Sequence, residues 1–118
     1  MAKFFSFLSK KKKEVVEEVV SVKQISKYGN KDLSYSDFEN VNLRNTDLSK
    51  AILKGSNFTN AEMADSNMSY TNCQGANFCG ADCKGANFRG ANLIDCDLTN
   101  TNFAGANLED VIFPRGHK

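Results

Sequence analysis

Four cysteines and one histidine are the residues of this chain best equipped for chemistry: Cys73, Cys79, Cys83, Cys96 and His117. Thiolates and imidazoles serve as zinc ligands and as nucleophiles or bases. Their spacing argues against both uses. No two cysteines are separated by two residues, and no histidine stands among them, so the usual zinc-ligand intervals are missing. His117 sits alone, one residue from the end. The remaining candidates are carboxylates. Aspartate or asparagine recurs at a fixed interval through most of the chain, which suggests a structural repeat rather than a catalytic pair. We expect no catalytic residue, no metal, no cofactor and no enzymatic activity.

The interval is five. From Leu33, steps of five residues reach Phe38, Leu43, Leu48, Leu53, Phe58, Met63, Met68, Cys73, Phe78, Cys83, Phe88, Leu93, Leu98, Phe103, Leu108 and Phe113. All seventeen of these central positions are apolar, with no gap or insertion, and they form the expected core. Two residues before each centre the side chain is small or β-branched, except at Lys31, which puts the start of the regular region near there. One residue before the centre stands Asp or Asn in fourteen cases, the exceptions being Ile52, Glu62 and Ile112.

A period of five matches neither the 3.6 of a helix nor the 2 of a strand. It requires a chain that turns a corner every five residues. Four corners close a square coil of twenty, so residue n stacks under n+20. The residue two after each centre fits a corner: it is Gly, Asn or Asp at thirteen of the sixteen sites from Tyr35 to Asp110. These types tolerate the positive φ that a type II turn needs at its third residue. Tyr35, Lys50 and Tyr70 do not readily adopt it, so these three corners are expected to use another turn.

The runs Ala76-Asn77-Phe78-Cys79-Gly80, Ala86-Asn87-Phe88-Arg89-Gly90 and Ala106-Asn107-Leu108-Glu109-Asp110 resemble the pentapeptide-repeat family. The resemblance covers residues 31–115 and implies an all-β solenoid, a right-handed quadrilateral β-helix of about four coils. At about 4.8 Å per coil the tower would stand roughly 20 Å tall. It would present flat walls and no cleft. Cys73 and Cys83 then fall at centres and Cys96 at a small inner position, where free cysteine behaves as a buried apolar residue. Cys79 faces outward as the one candidate reactive thiol.

The chain divides into a basic, amphipathic N-terminal segment and cap (1–30), the repeat region (31–115) and a tail (116–118). The N-terminal segment carries seven lysines against three glutamates, whereas residues 31–113 carry six basic against eleven acidic residues. Near-neutrality overall argues against generic nucleic-acid binding. Val15, Val16, Val19, Val20 and Val22 lie within an arc of about 160° on a helical wheel. A helix is therefore preferred to a strand for the cap, which would cover the open first coil. Phe4, Phe5, Phe7 and Leu8 precede Lys10–Lys13, the reverse of a signal peptide, and no apolar run reaches membrane-spanning length. We expect a cytoplasmic protein.

The functional expectation is a protein–protein interaction or scaffold module that acts through a solenoid wall or end. The alternative is a DNA-mimicking, gyrase-binding protein of the quinolone-resistance type, which the resemblance brings in. The wall bearing Asp37, Glu39 and Asp97 is the most acidic, though weakly so. Membrane-surface contact through residues 4–13 ranks lower. Val111, Ile112 and Phe113, with Ile94 on the same wall, mark an apolar C-terminal end. Closed twofold association is the commonest way to bury such an end, so a homodimer is expected there.

Overall fold

The computed structural model describes residues 32–115. The expected cap, the aromatic–basic segment and His117 lie outside the described residues. Within them the chain winds as a β-helix. Thirteen parallel bridges join residues twenty apart, from Asp32 with Ile52 to Asn92 with Ile112. The hydrogen bonds explain the register. Each central N–H donates towards the next coil, as Leu33 does to the Ile52 carbonyl at 2.7 Å. The N–H just before the centre donates the other way, as Asn57 does to the Ser36 carbonyl at 2.9 Å. Each inner coil thus spends its backbone groups on both neighbours, as buried peptide groups must.

Between centres the chain makes a β-turn, closed where the inner small residue donates to the preceding centre; Ala61 N–H reaches Phe58 C=O at 2.9 Å. The third residue of every such turn, from Tyr35 to Asp110, has positive φ, as type II geometry requires. This corrects the expectation for three corners. Tyr35, Lys50 and Tyr70 have φ of 60°, 65° and 58°. A left-handed conformation costs an L-residue about 1–2 kcal/mol. The ladder outweighs that cost, because each corner N–H also bonds the coil above: Tyr35 to Lys54 C=O at 2.8 Å, Lys50 to Ser69 C=O at 2.9 Å and Tyr70 to Arg89 C=O at 2.8 Å. Packing helps the tyrosines. Each lies over a glycine twenty residues on, Tyr35 over Gly55 and Tyr70 over Gly90, in space that a Cβ there would occupy.

The interior follows the repeat. Centres from Leu33 to Leu93 are buried, as are the small inner residues from Ser36 to Cys96. Phe38, Phe58 and Phe78 stack along one column with centroids 5.1 and 4.9 Å apart. Phe78 then meets Phe88 edge-on at 5.9 Å, and Phe88 meets Phe103 at 5.5 Å. Cys73 and Cys83 occupy the other two centres of the coil that holds Phe78 and Phe88. Two small side chains there stand beside two large ones, so the extra ring of Phe88 takes up part of the space the cysteines leave. Inner hydroxyls are mostly satisfied by carbonyls: Ser36 donates to Leu33 at 2.6 Å, Thr46 to Leu43 at 2.7 Å and Thr71 to Met68 at 2.8 Å. Ser66 is buried with its hydroxyl unpartnered.

Candidate interaction surfaces

Alternation about each centre makes four walls, named here for their first centres: Leu33, Phe38, Leu43 and Leu48. Each wall shows the residues immediately before and after its centres. The fourteen Asp and Asn residues before centres share one local role. In every case the side-chain Oδ1 accepts the N–H two residues on, from Ser34 to Asp32 at 2.9 Å through Cys79 to Asn77 at 2.8 Å to Glu109 to Asn107 at 3.0 Å. A short acceptor side chain thereby satisfies the N–H entering the turn. These carboxylates are turn caps. The pattern also explains an exception: after Ile112 the matching donor position is Pro114, which has no N–H to cap.

Glu62 interrupts the series, and among the described residues the Ala64 N–H has no partner. Glu62→Asn should therefore raise folding stability by about 1 kcal/mol, read as a higher urea midpoint at unchanged m. An unchanged or lower midpoint would count against the capping role.

The two aspartates of the Phe38 wall are engaged in the same way. Asp37 caps Glu39 N–H at 3.0 Å and Asp97 caps Thr99 N–H at 3.0 Å. The Thr99 hydroxyl and N–H hold the Asp97 carboxyl below its ordinary range. Between them the wall carries Asn57, Asn77, Thr59 and Cys79, so Asp37, Glu39 and Asp97 share one face without a dense acidic ladder. The Leu43 wall carries mixed charge: Arg44, Asp65, Asp82 and Lys84 line a shallow depression floored by Ala64 and Ala104. On the Leu48 wall Arg89 pairs with Glu109 at 3.5 Å.

The four cysteines are free thiols. Cys73, Cys83 and Cys96 are buried and Cys79 is half-buried on the Phe38 wall. Burial pushes Cys73 and Cys83 up to about 12 and Cys96 up to about 11. Among the described residues no three His, Cys, Asp or Glu side chains gather as a metal site. The folded state therefore keeps thiol protons that the unfolded chain releases near pH 9, and stability should fall as pH rises from about 9 towards 12. Cys73→Ala should lessen that slope by about 1.4 kcal/mol per pH unit, read from urea unfolding at a series of alkaline pH values. At neutral pH a thiol reagent should label Cys79 first. Equal slopes, or labelling of Cys73 before Cys79, would contradict this assignment.

The C-terminal end differs from the body. Leu98, Phe103, Leu108 and Phe113 are only partly buried, whereas centres lower in the same columns are closed to solvent. Val111 is half-buried on this end, Ile112 is 50% exposed on its rim, and Ile94 is half-buried on the Leu33 wall beneath it. Among the described residues, the backbone N–H groups of Leu98, Asn100, Phe103, Gly105, Leu108 and Asp110 find no partner in a further coil.

The family model of pentapeptide repeats matches eight copies, spanning residues 32–63, 53–82 and 80–113. This chain belongs to the pentapeptide-repeat family. Among solved pentapeptide-repeat proteins, alr5209 from Nostoc PCC 7120 is similar over 87% of this chain and 88% of its own, at 24% identity and a TM-score of 0.72. That likeness concerns the fold. HetL from the same strain, a pentapeptide-repeat protein involved in heterocyst differentiation regulation, is 29% identical with a TM-score of 0.42. The alignment covers 73% of this chain and 42% of HetL. A trypsin-treated form of QnrB1, a plasmid-mediated fluoroquinolone resistance protein, is 17% identical with a TM-score of 0.38, over 68% of this chain and 58% of QnrB1. The chain thus spans less than two thirds of either protein. No curated protein matches the sequence. Among the described residues the surface consists of walls, edges and an end; Cys73, Cys83 and Cys96 pack inside and the aspartates before the centres cap turns.

Proposed function

We propose that this pentapeptide-repeat protein is a non-enzymatic interaction module of the cytoplasm, and that two copies join through the C-terminal coil. The single observation carrying the reading is the C-terminal end: four partly buried centres beside the exposed Ile112 and a row of N–H donors that find no partner among the described residues. Apolar surface next to an unsatisfied β-edge is costly to leave in water. A second copy presenting the same end would cover both at once. Val111, Ile112 and Phe113 would lie near the centre of the contact, with Ile94 at its margin.

Free thiols suit a reducing compartment. The gyrase alternative draws less support, because the acidic wall is punctuated by amides and hydroxyls and its aspartates are committed to turns. Among the described residues no helix is long and apolar enough to cross a membrane.

Sedimentation tests the dimer. Wild type at tens of micromolar should run as a dimer, and Ile112→Asp should shift it to monomer with at least a tenfold weaker association. A wild-type monomer, or a dimer indifferent to Ile112→Asp, would overturn the proposal.

A further inference from the structure

The three large apolar side chains most exposed among the described residues are Tyr35, Tyr70 and Ile112, at 71%, 54% and 50%. They are far apart in sequence, yet the twenty-residue register gathers them. Ile112 lies on the Leu33 wall. Tyr35 stands on the edge this wall shares with the Phe38 wall, and Tyr70 on the edge it shares with the Leu48 wall. Ile52 and Ile94 lie half-buried on the same face. The wall's own charges are Asp32 and Lys54, one of each sign. Its edges also balance, with Asp95 and Arg115 on one, Lys50 and Asp110 on the other. This face is thus the most apolar of the four and electrically neutral.

Amides occupy its middle. Asn72 and Asn92 use Oδ1 to cap Gln74 and Ile94 N–H groups, at 3.2 and 3.0 Å. Their Nδ2 groups make no hydrogen bond within the described residues and stand stacked one coil apart, available to carbonyl oxygens from outside. On the Tyr35 edge, Gly75 faces open space: a Cβ there would have no atom within 4 Å.

We infer that the Leu33 wall is a docking face for an extended, uncharged peptide segment of a partner protein. Area decides against a second copy as occupant. The wall offers ten outward residues and two tyrosines, against roughly 20–30 residues per side in a stable dimer. Its four coil steps span about 19 Å, the length of roughly six residues of extended chain. Neutrality decides the chemistry, because a charged segment would lose hydration against isoleucine and tyrosine without meeting an opposite charge. Apolar side chains of the segment would pack on Ile94, Ile112 and the tyrosine rings, and its backbone carbonyls would take the Asn72 and Asn92 donors. The inference rests on the reading of the chain as an interaction module, and its face meets the dimer contact only at Ile94 and Ile112, while Tyr35, Ile52, Tyr70, Asn72 and Asn92 lie outside that contact.

Selection of a random linear heptapeptide display library on the immobilised full chain tests it, followed by fluorescence anisotropy with the selected peptides made synthetically. The selected peptides should be uncharged and rich in apolar residues. They should bind wild type and weaken at least tenfold both with Ile94→Lys and with Tyr70→Ala, while Arg44→Ala leaves binding unchanged. Tyr70→Ala lies on the opposite edge from the Tyr35 corner and guards against misfolding of the other variant; circular dichroism checks both. No enrichment, a charged consensus, or binding indifferent to both variants would overturn the inference. Loss of the dimer in Tyr70→Ala at sedimentation would assign the wall to a second copy and overturn it too. Failure of the C-terminal dimer would show as a wild-type monomer, or a dimer indifferent to Ile112→Asp, with peptide binding and its loss in Tyr70→Ala retained.

Discussion

Phe58→Ala is expected to lower folding stability by about 3–5 kcal/mol. Phe58 is fully buried, and its ring lies between Phe38 at 5.1 Å and Phe78 at 4.9 Å. Removing it opens a cavity in mid-column and also ends two ring contacts, each worth something beyond buried area. The coils above and below cannot close the gap, because the bridges of Asn57 with Asp37 and Asn77 hold the backbone spacing. Small domains are stable by only about 5–15 kcal/mol, so this one change removes a large share. Leu98→Ala, at the top of the same column and partly exposed, should cost clearly less. Urea unfolding of the two variants at equal m decides the matter. Equal losses would mean that the aromatic column is not a continuous core.

Gly90→Ala should destabilise by about 2–4 kcal/mol, and Gly75→Ala by about 1–2 kcal/mol. Both glycines have positive φ, 71° and 74°, so both variants bear the left-handed cost. They differ in what lies alongside. A Cβ at Gly90 would stand 2.5 Å from ring atoms of Tyr70, whereas at Gly75 it would meet nothing within 4 Å. In a Tyr70→Ala background the excess cost of Gly90→Ala should vanish. A denaturation cycle of the two single variants and the double variant measures that coupling directly. Additive effects would show that the tyrosine ring does not depend on its glycine.

The Tyr–Gly pairs show where reading along the chain falls short. By their own backbone preference, Tyr35 and Tyr70 are unsuited to a type II corner. The compensating residues stand twenty positions away, at Gly55 and Gly90, and they become meaningful only once the coils are stacked. The turn caps are legible as a repeated Asp or Asn, but not as hydrogen bonds to the N–H two residues on. The three charged or partly charged walls follow from the register. The apolar character of the Leu33 wall is only half visible along the chain, which shows its isoleucines but not that the tyrosines flank them.

The sequence by itself determined the coil. An uninterrupted five-residue period, with an apolar centre and a small inner partner, leaves a chain that turns regularly few other ways to bury its core. The same arithmetic assigned Cys73, Cys83 and Cys96 to the interior, because burial of these positions follows from phase alone. Only the tertiary structure decided the conformation of the Tyr35, Lys50 and Tyr70 corners and the company each side chain keeps across coils. The reason is energetic. A residue's own preference for negative φ is worth about 1–2 kcal/mol, whereas the corner is held by a ladder of bonds to the next coil and by packing on a neighbour twenty residues on. Where those long-range terms agree with local preference, the pattern can be read from the chain; where they oppose it, as at Tyr70, the stacked coil prevails.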